Sequence, residues 1–326
     1  MNRILVIRGG AIGDFILTLP ALKALRVAYP DARVEILGYK HIATLAENRF
    51  YAQAVRSIEY GPLASFFAKN SELPVELARY FASFDLILSY LYDPDRTFQT
   101  NLGRCGVENL LCGPASIIEQ NGHAARQLAR PVEQLGIRVA DLAEEIFLSP
   151  DDRHFAEEFL RGFPRPIVAF HPGSGSKPKN WPLQNWIKLF ASDRGFSAAK
   201  DSTRMATQFS LVVVSGEADK PQTAQLEQKW QDRNVRFAKN FSLPHLAAVL
   251  EQTIFVGHDS GISHLAAAAG ANCILLFGPT DPDVWAPRNE NVRVLRPHTG
   301  KVDDLEVERI EAAIAAALSG GSRLNC

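Results

Sequence analysis

Short apolar runs alternate with helical segments along almost the whole chain, and that alternation constrains its fold more than any other feature. The strand-like run Ile4–Ile7 leads into a helix over Phe15–Ala28. Strand Arg33–Gly38, helix Ile42–Asn48, strand Ala54–Glu59, a helix near Pro74–Phe81 and strand Leu86–Ser89 follow. Strands separated by helices are joined by crossovers, so the sheet is expected to be parallel and covered on both faces. A helix over Arg126–Leu135 comes next. Then Ser149-Pro150-Asp151-Asp152 opens a charged helix over His154–Arg161, and the linker-like Gly162-Phe163-Pro164-Arg165-Pro166 follows.

There the pattern starts again. It runs through strand Ile167–His171, helix Leu183–Ala191, strand Leu211–Ser215, helix Pro221–Gln231, a short strand near Val235–Phe237 and helix Leu243–Leu250. Strand Thr253–Gly257, a helix after Ser260 and strand Cys273–Phe277 complete it. The expectation is an α/β chain of two Rossmann-like, doubly wound parallel-sheet domains, 1–160 and 161–326, facing across a cleft at the carboxyl ends of their strands. The alanine-rich helix 305–318 has the option of packing back on the first domain. The polar stretch 192–208 reads as a helix extension or surface insertion, and 319–326 as a disordered tail.

With 326 residues, 46% of them hydrophobic, the chain can bury two cores. A formal net charge of −1 leaves no electrostatic footprint for nucleic acid. No apolar run reaches the ~18–20 residues of a membrane span, and the N-terminal run reads as a first strand, not a signal peptide. Cys105, Cys112, Cys273 and Cys326 lack metal or redox spacing, which suits reduced thiols in a cytoplasmic protein. The histidines show no ligand spacing, and Asp93-Pro94-Asp95 falls in a proline turn, so no metal is expected.

Ligands of such sheets bind at strand-to-helix turns, and four turns are candidates. Arg8-Gly9-Gly10-Ala11-Ile12-Gly13-Asp14 lets the backbone come close to a ligand, but its glycines lack dinucleotide-fingerprint spacing. Asp14 is either a carboxylate on the helix dipole or a general base. His171–Pro182 offers Ser174, Gly175 and Ser176 to phosphate oxygens and Lys177 or Lys179 as a charge; it is not a P-loop, and the alternative is a polar linker. Past Val213–Ser215, Glu217, with Asp219 in reserve, can accept both hydroxyls of a ribose or simply begin a helix. At Asp259-Ser260-Gly261 a capped helix presents free amides to an anion, with His264 one turn on from Ser260; the alternative is an ordinary crossover helix. The serine sits one place too late for a hydrolase nucleophile elbow.

Taken together, Arg8…Gly13-Asp14…Pro20, Lys179-Asn180-Trp181-Pro182, Asp259-Ser260-Gly261-Ile262-Ser263-His264 and Phe277-Gly278-Pro279-Thr280-Asp281-Pro282 resemble glycosyltransferase family 9, the ADP-heptose:lipopolysaccharide heptosyltransferases. The resemblance implies a GT-B type fold with the donor held mainly by the second domain. It implies Asp14 as base and Lys179 on the donor diphosphate, beside the phosphate-contacting turn Ser174–Ser176. Glu217 would hold the ribose, Asp259 the sugar hydroxyls, and Ser260, Gly261 and His264 the diphosphate. Lys239–Leu243 would lie beside the nucleobase.

Gly10 and Arg96 are the acceptor-side candidates, with Lys69 and Arg104 behind them; a solvated surface is the alternative for each charge. Gly10 replaces a hydroxyl residue and Asn240-Phe241 a Lys-Thr pair, departures that bear on donor and acceptor identity. The implied activity is inverting, metal-independent transfer of a heptose or related sugar from an ADP-sugar to a lipopolysaccharide-core or other glycan acceptor. It needs no cofactor beyond the nucleotide-sugar co-substrate, ADP-heptose. The implied setting is cytoplasmic, without nucleic acid or a transmembrane segment, and compatible with peripheral contact at the inner membrane. A sugar-nucleotide epimerase of the same architecture and a nucleotide-sugar-binding protein without catalysis are the alternatives; a nicotinamide dehydrogenase fits the glycine spacing worst.

Overall fold

A computed structural model describes residues 1–191, 209–216, 219–231 and 233–319. The polar stretch 192–208, Glu217 and the residues beyond Ser319 lie outside the described residues. The chain divides into two compact units, Met1–Phe147 and Leu148–Cys326.

In the first unit β1 (Arg3–Arg8), α1 (Ile12–Ile16), α2 (Leu19–Ala28), β2 (Arg33–Gly38), α3 (Lys40–Ala43), β3 (Ala54–Ser57), α4 (Val75–Ala82), β4 (Leu86–Ser89), α5 (Thr97–Arg104), β5 (Leu110–Cys112) and α6 (Ala124–Glu133) follow in order. The strands form a parallel sheet in the order β3-β2-β1-β4-β5. Ile4 to Ile7 have no exposed surface, as expected of a central strand covered on both faces. The helix expected over 15–28 is two helices. Pro20 lies at the second position of α2, where its missing N–H costs nothing, so it starts a helix rather than continuing one.

The second unit carries α7 (Pro150–Leu160), β6 (Ile167–Phe170), α8 (Leu183–Leu189), β7 (Ser210–Ser215), α9 (Lys220–Lys229), β8 (Val235–Lys239), α10 (Leu243–Glu251), β9 (Ile254–His258), α11 (Gly261–Ala268), β10 (Asn272–Leu276), α12 (Pro282–Trp285), β11 (Val292–Leu295) and α13 (Val307–Ser319). Its parallel sheet runs β11-β10-β9-β6-β7-β8. Strand order reverses beside β1 in one sheet and between β6 and β9 in the other, the points where such sheets open a crevice.

One boundary differs from expectation. Helix α7, capped by the reciprocal Ser149–Asp152 pair, packs on α10 and so belongs to the second unit, ahead of the proline-rich linker. Helix α13 lies on α8, β9 and β10 of its own unit, with Ile310, Ala313 and Ile314 in that core. The same core holds Phe170, Trp181, Trp186, Phe190 and Trp230. Trp181 meets Trp186 edge-on at 5.1 Å and Phe170 stacks on Trp186 at 4.9 Å, giving the β6 turn a stiff floor.

Candidate functional site

In the second unit, β9 ends at His258 and turns through Asp259 and Ser260 into α11. Ser260 caps the helix, its Oγ accepting the Ser263 amide at 3.4 Å, while the Ser263 hydroxyl donates to the His258 carbonyl. The first-turn amides of a helix have no partner within it, so Gly261 and Ile262 present theirs at the strand end. His264, one turn further, is buried.

Lys179 reaches this turn from the loop after β6. Its Nζ donates to Asp259 Oδ2 at 2.6 Å, and the Thr280 hydroxyl, from the loop after β10, donates to the same oxygen at 2.7 Å. Asp259 is 8% exposed and Lys179 28%, so a nearly buried carboxylate meets a cation still open to solvent. The Ser174 hydroxyl donates to Asn180 Oδ1 at 2.6 Å and accepts the Ser176 amide at 3.3 Å, which folds the Ser174–Asn180 loop on itself with Gly175 exposed. The structure therefore brings Ser174, Gly175, Ser176 and Lys179 onto one loop, and Lys179 onto Asp259.

Asp219, the reserve acid for a ribose, is 1% exposed. It accepts the Gly216 amide at 3.0 Å, lies 3.3 Å from His171 Nε2, and is a carboxylate of the loop floor, not of its surface. A β-carbon on Gly173 would stand 2.4 Å from that of Asp219, so only glycine lets the loop pass over it. In the segment expected beside a nucleobase, Lys239 pairs with Glu227 and Phe241 meets Phe155 edge-on at 4.9 Å.

The first unit holds Asp14 in the first turn of α1, just past the end of β1. Its Oδ2 accepts the Ala11 amide at 2.9 Å, and its Oδ1 is 3.6 Å from Arg8 Nη2. Arg8 is a buried cation whose guanidinium donates to the Asp14 carbonyl at 2.9 Å and to Thr18 Oγ1 at 3.1 Å, over the Tyr90 ring at 5.6 Å. Burial pushes its pKa down, against the opposing pull of Asp14. The Asp14 side chain is 40% exposed, so a carboxylate braced from behind remains accessible.

Gly10 has φ +93° and a β-carbon there would lie 2.7 Å from Asp14 Oδ2, so its place beside the acid depends on being glycine. Arg96 is exposed and left-handed (φ 53°) at the start of α5. Asp93 caps that helix through the Phe98 and Gln99 amides and Asp95 pairs with Lys69 at 3.2 Å, so both carboxylates of the proline turn are engaged. Among the described residues no group of His, Cys, Asp and Glu side chains converges as a metal site.

The model of glycosyltransferase family 9 (heptosyltransferase) matches residues 116–314. The chain belongs to that family. It is similar over its length to the lipopolysaccharide heptosyltransferase 3 of Escherichia coli (strain K12), at 22% identity over 302 residues, 86% of this chain and 83% of that protein. Among solved structures it is similar to a family 9 glycosyl transferase from Veillonella parvula DSM 2008 (TM-score 0.77, 18% identity, 98% of this chain and 97% of that one). It is also similar to the E. coli heptosyltransferase WaaC with ADP-2-deoxy-2-fluoro heptose (TM-score 0.64, 18% identity, 97% and 99%). These likenesses establish the GT-B type fold. Within this family 9 chain, sequence reasoning assigns no role to Thr18, Thr280, His171 or His258. Thr280 stands in a strand-end turn, the one local signal available; the others act through partners distant in sequence or buried.

Proposed function

We propose that this chain is an inverting, metal-independent transferase that moves heptose from ADP-heptose to a lipopolysaccharide-core or related glycan acceptor. The observation that carries it is the meeting of Lys179, Asp259 and Thr280 beside the capped start of α11, at the strand-order reversal of the second sheet. Its relatives include a lipopolysaccharide heptosyltransferase and a heptosyltransferase solved with ADP-2-deoxy-2-fluoro heptose.

In this reading the donor diphosphate rests on Lys179, the Ser174–Ser176 turn and the Gly261 and Ile262 amides. Asp259, relieved of Lys179 by the phosphates, turns to sugar hydroxyls. An acceptor hydroxyl attacks the anomeric carbon on the face opposite the diphosphate, through an oxocarbenium-like state, as in inverting glycoside hydrolysis. Asp14 takes the hydroxyl proton, a contribution of about 10²–10⁴-fold for a well-placed base. The C–O bond to the diphosphate breaks with its electrons, and Lys179 and the helix amides take up the growing negative charge. A fixed ammonium and aligned amides supply the counter-charge a divalent ion would otherwise bring. No helix among the described residues is long and apolar enough to cross a membrane, so a lipid-linked acceptor would be met at the membrane surface.

Calorimetric titration with ADP, UDP and GDP tests the donor class. ADP is expected to bind tightest, with EDTA changing little. A preference for UDP or a strict requirement for Mg²⁺ would overturn the reading.

A further inference from the structure

The buried groups behind the donor loop carry an inference that rests on the donor reading above. We propose that His258 is a positioning residue: its ring ties the Lys179–Trp181 backbone to the end of β9 and thereby sets the distance between Lys179 and Asp259.

The Trp181 amide donates to His258 Nε2 at 2.8 Å, between residues 77 apart in sequence and both essentially without exposure. Lys179 lies two residues before one end of this bond, and Asp259 directly follows the other. The cation and its carboxylate therefore hang from the two ends of one buried hydrogen bond. A leucine could fill the same volume, but it would strand the Trp181 N–H in a dry interior, where an unmade bond is costly.

The bond also dictates the chemical form of the ring. A nitrogen that accepts an N–H carries no proton, so the ring is neutral with its proton on Nδ1, a buried atom that makes no hydrogen bond. His171 at the end of β6, Asp219 at the start of α9 and Asp259 next in the chain are the titratable groups around it. The edge of Trp186 from α8 stands 5.5 Å away. Burial, reinforced by His171, pushes the ring's pKa down to about 3, which keeps the accepting form at any pH near neutrality.

A second contact runs beside the first. His171 and Asp219 approach to 3.3 Å without a hydrogen bond between them, so the turns after β6 and β7 pack together, and Asp219 accepts the Gly216 amide within the β7 turn. The Trp181 indole donates to the Leu305 carbonyl at 3.0 Å and holds the far end of the loop. The turns after β9 and β6 are thus joined by a hydrogen bond, with the β7 turn packed against them, beneath the surface that would face the diphosphate.

The test compares ADP affinity and melting temperature for wild type, His258→Leu and His258→Gln, whose amide oxygen reaches toward the Trp181 N–H. His258→Leu is expected to bind ADP at least about tenfold more weakly, and His258→Gln to recover most of that loss. Nitrogen-15 NMR of the wild-type imidazole, which needs no variant to fold, should show an unprotonated Nε2 that accepts the Trp181 amide. Equal ADP affinity in all three proteins overturns the proposal, as does a protonated Nε2. So does an equal loss in both variants, which would mean packing alone. If wild type fails to bind ADP, the donor reading falls, and the NMR result alone decides whether the tie exists.

Discussion

The β1 turn of the first unit and the β6 turn of the second are both glycine-bearing strand-to-helix loops, yet they are braced in different ways. Asp14 is held by near neighbours: Ala11, Arg8 and, through Arg8, Thr18, all within ten residues of one another. The β6 loop, proposed to hold the donor, is braced across the sheet, through bonds such as Trp181 to His258 and Lys179 to Asp259, between residues 77 and 80 apart. A proton acceptor needs only a set orientation and access to solvent, which a local turn supplies. A diphosphate must meet groups from several turns at once, and that needs a common rigid floor.

The comparison predicts that damage on the two sides will separate. Asp14→Asn should lower kcat by about 10²–10⁴-fold and leave ADP affinity within about twofold, measured by steady-state kinetics and calorimetry. Equal losses in both would show that the acid belongs to the donor site. Lys179→Ala should cost about 10²–10³-fold in kcat/KM, the scale for one removed oxyanion donor, and weaken ADP binding as well. A change in kcat alone would leave the diphosphate to other groups.

Arg8→Met tests the local bracing. Without its guanidinium, Thr18 and the Asp14 carbonyl lose a buried donor. The fold should lose about 1–3 kcal/mol in a urea titration, with kcat falling about tenfold and ADP affinity unchanged. Unchanged kcat would show that Asp14 keeps its place without Arg8.

A further effect is expected in acid. His258 titrates near 6.5 when unfolded but about 3 when folded, so below pH 6.5 the unfolded chain binds a proton that the native chain refuses. Its contribution to stability is therefore intact above pH 6.5 and is lost progressively as pH falls toward 3. Urea midpoints for wild type and His258→Gln should show a shallower acid loss in the variant; parallel curves would contradict this.

The same contrast explains what the sequence disclosed. Central strands such as Ile4–Ile7 and β9 announce themselves because burial on both faces demands continuous apolar residues. Edge strands β5 and β11 are short, and the helix α5 is polar, with a left-handed arginine at its start, so none of the three has a strong local pattern. Asp14 and the Ser260 cap were legible because their partners lie within a turn. Thr280, His258 and the burial of Asp219 were not, because each is defined by strands that meet only in the folded sheet. The linker after helix α7 suggests a boundary behind it, whereas its packing on α10 puts it in the second unit.

The account turns on a sugar leaving ADP only when an acceptor hydroxyl, stripped of its proton by Asp14, arrives to take it. The direct test is the rate of ADP release from ADP-heptose with and without a lipopolysaccharide-core acceptor, for wild type and Asp14→Asn. The account predicts release by wild type only when the acceptor is present, and at least about a hundredfold slower release by the variant. Release without acceptor, or a variant as fast as wild type, would contradict it.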